Sequence, residues 1–289
     1  MRLSPAWLLK LDGVNSGYSG KEVLHSISLE VSDPAIYVVL GPNGVGKTTL
    51  FRTVAGVLKP FAGTVSLDGR DLYATGELRH EIGYLSHYPA LPEEMTVTKA
   101  LGFYGGIEKG SVETAIDTLE LKDLMNKKVG DLSQGQKKRA SIAKLFLRER
   151  KLYLMDEPTT SLDPVAAKEV RDKLLELARN RLVLYSSHNL YEAQEIADVI
   201  ILIKEGRIAF FGRKEELRSG GYRVGIKASA SLDGLLPDGK REKEYFVVQV
   251  SGPEAVGQLV KKIVEAGIGV YEVKELGNPL EDLFMGEMQ

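Results

Sequence analysis

The sequence predicts an α/β fold, and three observations indicate it. An apolar run of strand length at 36–40 leads into a glycine-rich loop at 41–48 and then into a helical pattern at 49–55. A second strand-like run at 151–157 ends in two carboxylates, as strands facing a ligand crevice do in such folds. Between the two runs, residues 98–150 carry a mainly helical pattern, which predicts a helical insert between core strands.

The loop at 41–48 matches the phosphate-binding pattern of two glycines separated by four residues and followed by Lys and Thr. Glycines let several backbone N–H groups face one anion, and the following helix N-terminus adds a partial positive charge. Lys47 can reach the terminal phosphates, and the Thr48 hydroxyl can bind Mg²⁺. The alternative is a glycine-rich turn without a ligand. The predicted phosphate contacts come from Gly41, Pro42, Asn43, Gly44, Val45, Gly46, Lys47, Thr48 and Thr49.

The amino-acid composition limits the classes of protein to which this chain can belong. The 289 residues, 43% of them hydrophobic and 27% charged, suffice for one large domain plus a small one. A net charge of −2 suggests neither nucleic acid nor an anionic membrane surface as partner, and the absence of cysteine excludes thiolate catalysis. No apolar run approaches the ~18 residues of a membrane span, and the first ten residues lack a signal-peptide core. We expect a cytosolic protein that meets a membrane through a partner.

The N-terminal segment predicts strands at 8–11 and 27–31 on either side of a turn-rich stretch at 13–20. Tyr18 falls in that stretch, upstream of the phosphate loop. Its ring can stack on a nucleotide base, or it can simply pack at the rim of a hairpin. Further strands are predicted at 64–67 and at 82–85.

The helical insert contains an amphipathic helix at 111–121 and a helix start at Ser133, which has Gln136 at capping-box spacing. That second helix N-terminus also suits a phosphate. The basic residues that follow, 137–139, are expected to form a solvated face.

The acidic pair at the end of the 151–157 strand is the second candidate site. Asp156 is expected to hold Mg²⁺ through water, and Glu157 to polarise the attacking water as general base. The alternative is a solvated acidic turn. Downstream, Asp163 as N-cap and Pro164 at the first position start a helix, and His188 follows a strand at 182–185. His188 can hydrogen-bond a terminal phosphate or be purely structural.

The C-terminal part changes character after residues 220–221. Two further strands at 199–203 and 207–211 close the first part. Beyond them, strands at 244–250 and 268–274, a helix at 253–266 and a terminal helix at 279–285 predict a small α+β appendage without a chemical motif.

With these motifs in order, residues 8–218 resemble the ATP-binding subunit of an ABC transporter. Residues 132–136 match that family's signature sequence, 152–157 its second Walker motif and 161–163 its D-loop. The resemblance implies a P-loop NTPase core with an antiparallel β subdomain and a helical subdomain at about 88–150. It implies an ATP-binding domain at 1–218 and leaves the α+β appendage at 219–289.

The resemblance also implies a mechanism. Two such domains hold two Mg-ATP head to tail, and the signature motif of one covers the triphosphate bound by the other. In-line attack of water then depends on positioning and charge stabilisation. Glu157 would be the catalytic base, His188 would steady the γ-phosphate, and Tyr18 would stack on adenine. The remaining implied ATP contacts are Ser133, Gly135, Gln136 and Asp163.

One position departs from the family pattern. Where the family usually has Gln near Mg²⁺ and the attacking water, this chain has Ser86-His87. A neutral imidazole at His87 can donate or accept and can bind Mg²⁺ or water, so ATP binding should persist while the hydrolysis rate is open. Residues 87–104 are expected to meet a separate membrane permease subunit, and the tail weakly resembles ATPases of ABC-2 exporters.

Three functional hypotheses remain at this point. The first is the ATPase motor of a transporter, with an exporter favoured. The second is a soluble ABC ATPase of DNA repair or translation, although no long coiled coil and only one phosphate loop are present. The third is a regulatory module that binds ATP without turnover. The cargo, and whether the partner ATPase is a copy or a different chain, are open.

Overall fold

The computed structural model describes residues 8–74, 76–87, 91–214, 216 and 222–276. The chain forms two compact units, Met1–Gly212 and Arg213–Gln289. The sequence places the domain boundary at 218/219 instead. The terminal helix predicted at 279–285 lies outside the described residues, as do positions 88–90 of the predicted permease-contacting segment.

The first unit is built on two sheets. Its strands are β1 (Leu9–Tyr18), β2 (Lys21–Val31), β3 (Ala35–Leu40), β4 (Ala62–Leu67), β5 (Arg70–Asp71), β6 (Ile82–Leu85), β7 (Leu152–Asp156), β8 (Leu182–Ser186), β9 (Val199–Lys204) and β10 (Arg207–Arg213). Six of them lie side by side in the order β10-β9-β3-β8-β7-β6, with parallel pairing from β9 through to β6. The other four form an antiparallel sheet in the order β2-β1-β4-β5. These two sheets confirm the α/β fold and its antiparallel β subdomain.

The seven α-helices of the described residues begin at a side-chain cap in five cases and after a glycine in the other two. They are α1 (Lys47–Val54), α2 (Val97–Glu108), α3 (Val112–Thr118), α4 (Gln134–Ala143), α5 (Pro164–Ala178), α6 (Leu190–Ile196) and α7 (Pro253–Glu265). The capping box of Ser133 and Gln136 is confirmed at the start of α4, and Asp163 caps α5 with Pro164 at its first position. Helices α2 to α4 form the helical subdomain between β6 and β7. In the described part of the chain, none of the helices is both long and apolar enough to cross a bilayer.

Helix α1 lies in the main hydrophobic core. Its Leu50, Phe51 and Val54 are fully buried and belong to one apolar cluster with residues of both sheets, such as Leu11 of β1 and Leu154 of β7. Close packing of this kind leaves little freedom to the elements involved. The phosphate loop therefore connects two buried elements, β3 and α1, whose positions are set by the core.

The N-terminal hairpin differs from the sequence prediction. Instead of two short strands around a long turn at 13–20, β1 and β2 are long strands joined at Ser19-Gly20. Shifts of register between Leu11 and Gly17 absorb the turn-forming residues as bulges within β1. Tyr18 consequently lies at the end of a strand, paired with Lys21, and not inside a loop.

The basic residues 137–139 also contradict the prediction of a solvated face. Lys138 is only 3% exposed and donates from Nζ to the carbonyl oxygen of His87 at 3.1 Å. Lys137 pairs with Glu93 at 2.9 Å, and Arg139 donates to the carbonyl oxygen of Leu119 at 2.9 Å. Tertiary packing of α4 against its neighbours therefore covers a face that composition alone marks as polar.

The second unit is an antiparallel sheet with one helix. Its strands β11 (Tyr222–Ala228), β12 (Lys240–Glu242), β13 (Tyr245–Val250) and β14 (Val270–Glu275) have the order β12-β13-β11-β14. Leu259 and Ile263 of α7 share a core with Val224, Ile226 and Phe246. The α+β prediction is confirmed, although β11 and β12 lie outside the segments predicted to be strands.

We predict that Phe51→Ala destabilises the protein by about 3–5 kcal/mol, because it leaves a cavity between the two sheets. The matched control is Phe103→Ala on α2, where the ring is 53% exposed and the expected loss is below about 1 kcal/mol. Urea denaturation followed by circular dichroism measures both. Equal losses in the two variants would contradict the core position assigned to α1.

A second prediction concerns Lys138, whose pKa burial lowers to about 8. Because the unfolded chain binds a proton more tightly than the folded one, this residue destabilises the fold below about pH 8, and the effect disappears as pH rises towards 10.5. The unfolding free energy of the wild type minus that of Lys138→Met should therefore rise by about 2 kcal/mol between pH 7.5 and 10. A pH-independent difference would show that Lys138 is not buried as an ammonium.

Candidate functional site

The phosphate loop requires glycine at its two ends. Gly41 and Gly46 have φ of 154° and 112°, which side chains of L-residues rarely adopt. A Cβ at Gly41 would lie 2.5 Å from the carbonyl oxygen of Ile203, and one at Gly46 would lie 2.6 Å from Cδ2 of Leu24. The loop therefore turns tightly against the central sheet and against β2, directly before α1.

Lys47 lies folded over this loop. Its Nζ donates to the carbonyl oxygens of Gly41 at 2.7 Å and Pro42 at 3.0 Å, and the residue is 6% exposed. Burial lowers the pKa of Lys47, and the nearby Glu157 and Asp156 carboxylates oppose that change. An ammonium held in this way can exchange loop carbonyls for phosphate oxygens without a large movement.

Asp156, at the end of β7, is hydrogen-bonded to a residue of α1 and to a residue of β8. Its Oδ2 accepts from the Thr48 hydroxyl at 2.8 Å, and its Oδ1 accepts from the Ser186 hydroxyl at 2.6 Å. Mg²⁺ prefers oxygen ligands at 2.0–2.1 Å in an octahedron, so neighbouring ligands lie about 3 Å apart. The Thr48 hydroxyl and the Asp156 carboxylate are oxygen donors of the kind that Mg²⁺ binds, Thr48 directly and Asp156 through water. In the described residues, no group of three or more acidic, His or Cys side chains has the arrangement of a metal site.

Glu157 is the residue on which the candidate catalytic side chains converge. Its backbone has φ of 49°, an uncommon conformation for a non-glycine residue that often occurs at functional sites. His188 Nδ1 lies 3.2 Å from Oε1, and His87 Nδ1 lies 3.7 Å from Oε2. Thr160 also donates to Oε2 at 3.2 Å. The structure thus brings both predicted histidines to one carboxylate.

The Tyr18 side chain is held in place by Arg52 of α1. Arg52 Nη1 donates to the Tyr18 hydroxyl at 3.1 Å, and the guanidinium carbon lies 5.8 Å from the ring centroid. The ring remains 39% exposed. Lys47 and Arg52 lie on the same helix, so α1 supports both the phosphate loop and the candidate base-stacking tyrosine.

The signature residues 132–136 and the D-loop residues 161–163 form a second group, at the starts of α4 and α5. Ser133 and Gln136 hydrogen-bond each other's backbone N–H groups at 3.2 and 3.1 Å. A Cβ on Gly135 would lie 3.5 Å from the carbonyl oxygen of Ser161, so the start of α4 is close to the D-loop. Asp163 Oδ1 accepts from the N–H groups of Ala166 and Val165 at 3.0 Å, which lowers the pKa of Asp163. These contacts stay within α4, α5 and the D-loop.

Sequence reasoning missed three residues that hold the site. Ser186 accepts from the Glu157 N–H at 3.0 Å while donating to Asp156, Lys138 holds the His87 carbonyl, and Arg52 holds Tyr18. Ser186 directly precedes Ser187-His188, which was a usable signal. Lys138 and Arg52 have no such signal, because their partners are 51 and 34 residues away in sequence.

The chain is similar to known ABC transporter proteins. The sequence model described as ABC transporter matches residues 24–160. A curated relative, the uncharacterized ABC transporter ATP-binding protein YxlF of Bacillus subtilis, is 30% identical over 96% of this chain and 98% of its own. The Nod factor export ATP-binding protein I of Rhizobium johnstonii is 34% identical over 74% of this chain and 72% of its own.

A solved structure shares the architecture. The structure of cbiO1 from Clostridium perfringens, part of the ABC transporter complex cbiONQ, superposes with a TM-score of 0.64 at 29% identity. The superposition covers 72% of this chain and 89% of the cbiO1 chain. The phosphate loop, the acidic strand end and the relatives lead to one conclusion: the chain belongs to the family of ABC transporter ATP-binding proteins.

Proposed function

We propose that this protein hydrolyses ATP as the motor subunit of an ABC exporter. The observation that supports this most directly is Glu157, a carboxylate only 15% exposed with a histidine nitrogen near each oxygen. Asp156, the residue before Glu157 at the end of β7, accepts a hydrogen bond from Thr48. A base, two polar steadying groups and a metal-binding pair are the parts that phosphoryl transfer to water requires.

Each residue has a role in this proposal. The loop N–H groups and Lys47 bind the β- and γ-phosphates, and Tyr18 stacks on the adenine. Mg²⁺, held by Thr48 and Asp156, would neutralise charge that develops on the phosphate oxygens. Glu157 accepts a proton from the attacking water, while His188 and His87 orient that water and the γ-phosphate.

The proposal includes a second ATP-binding subunit, either a copy or a different chain. Ser133, Gly135, Gln136 and Asp163 of one subunit cover the triphosphate bound by the other, so ATP stabilises the closed pair. The exposed start of α4 supports this, because a helix N-terminus with a hydroxyl and a glycine suits a phosphate. We assign the ATP-binding domain to residues 1–218, which extends past the first compact unit, Met1–Gly212.

Coupling to transport would occur through a separate permease at about 87–104. Phe103 on α2 is 53% exposed, and Ile107, one turn further on, is 58% exposed. These two side chains form a small exposed apolar surface on α2, which supports a protein contact there. A relative is named for Nod factor export and cbiO1 belongs to a multi-subunit complex, which favours export and a permease partner. The protein would then be cytoplasmic and peripheral at the inner face of the membrane.

We predict that Glu157→Gln forms a dimer in saturating Mg-ATP and stays monomeric without nucleotide, because the amide slows hydrolysis by 10²-fold or more and ATP remains as a bridge. Size-exclusion chromatography with light scattering measures this. Ser133→Arg in the Glu157→Gln background should abolish the dimer. A monomer in both conditions, with wild-type phosphate release from Ser133→Arg alone, would refute the proposed pairing.

We predict that His87→Ala lowers kcat for ATP about 10–100-fold with KM changed less than about threefold, because the ring near Glu157 acts on the reaction and not on phosphate binding. His87→Gln keeps a donor and should stay within about tenfold of the wild type. The exposed His80 provides the control His80→Ala, expected to be neutral. Wild-type turnover and Mg²⁺ dependence in His87→Ala would show that the position is unimportant, and an inactive wild type would favour an ATP-binding regulatory module.

A further inference from the structure

We propose that Glu192 is a positioning residue for hydrolysis, and this inference rests on the proposed function. Glu192 lies on α6 and is 9% exposed. Its Oε1 accepts from the Thr159 hydroxyl at 2.6 Å, and its Oε2 accepts from the Ser187 hydroxyl at 2.8 Å. Thr159 lies two residues after Glu157, and Ser187 directly precedes His188. One carboxylate therefore links the two segments that carry the catalytic base and its histidine.

The link lies where the sheet no longer connects these segments. Strands β7 and β8 pair in parallel up to Asp156 and Ser186. From that last pair onwards, each of three consecutive residues reaches across by its side chain: Ser186 to Asp156, Ser187 to Thr159 through Glu192, and His188 to Glu157. Glu192 is the part of this bridge that neither segment supplies itself.

The surroundings of Glu192 are those of a fixed side chain. Thr159 Oγ1 also lies 2.9 Å from the Tyr185 hydroxyl, and Asn189 caps α6 by accepting from the Glu192 N–H at 3.1 Å. Arg171 Nη1 approaches Oε1 at 3.9 Å. A carboxylate buried with two charge-assisted hydrogen bonds holds its partners more firmly than a neutral group would. Without it, Ser187 and Thr159 lose their common acceptor, which loosens the position of His188 relative to Glu157.

The first experiment compares ATP hydrolysis of Glu192→Ala, Glu192→Gln and the control Glu195→Ala. Glu195 lies on the same helix, is exposed and also contacts Arg171 at 3.3 Å. We expect Glu192→Ala to lower kcat about 10-fold or more with KM for ATP within about twofold, since misplacement affects the reaction and not binding. Glu192→Gln should recover most activity, because its amide oxygen can accept from Thr159 and its NH₂ can donate to Ser187. Glu195→Ala should match the wild type.

A double variant separates positioning from general stability. If Glu192 acts through His188, then Glu192→Ala combined with His188→Ala is no slower than His188→Ala alone. Losses that multiply would overturn the proposal, as would wild-type kcat in Glu192→Ala.

The second measurement does not depend on turnover. The chain has four histidines, so the C2-proton NMR resonance of His188 can be assigned from the spectrum of His188→Ala. We expect that resonance to shift in Glu192→Ala, to return towards the wild-type position in Glu192→Gln and to stay unchanged in Glu195→Ala. An unchanged His188 resonance in Glu192→Ala would overturn the inference. A wild type that releases no phosphate would refute the proposed function, and the resonance would still decide the role of Glu192.

Discussion

The hydrogen bond between Thr48 and Asp156 is the contact on which the site depends. It joins residues 108 positions apart, at the start of α1 and at the end of β7. This bond places the hydroxyl of Thr48, at the end of the phosphate loop, against the carboxylate of Asp156 at the end of β7. The same carboxylate accepts from Ser186, so β8 is fixed to that point as well. Since α1 is packed in the core, the relative positions of the loop, Glu157 and the segment before His188 follow from the core and this carboxylate.

The carboxylates of the site compensate only part of the cost of burying its two ammonium groups. Asp156 and Glu157 act on two buried ammonium groups, Lys47 and Lys138, and in both burial lowers the pKa more than the carboxylates raise it. Buried cations held by backbone carbonyls are costly unless they gain better partners. A triphosphate would supply such a partner to Lys47.

Much of the fold follows from local patterns. The strand, loop and helix at 36–55 depend on neighbouring residues alone, as do the caps at Ser133 and Asp163, and each was predictable for that reason. The N-terminal hairpin was not, because bulges hide turn-forming residues inside β1. The solvated face predicted for 137–139 was wrong because burial of Lys138 depends on what packs against α4.

By itself the sequence determined the order of the motifs and therefore the family, because each motif is a short run whose chemistry needs only its own spacing. The tertiary structure decided which side chains meet. His87, Glu157 and His188 come from separate segments, and they approach one another only because β6, β7 and β8 are adjacent and in a particular register. Register is set by long-range pairing and core packing, which no local pattern encodes. The same reason explains why the bridge through Glu192 is visible only in the folded chain.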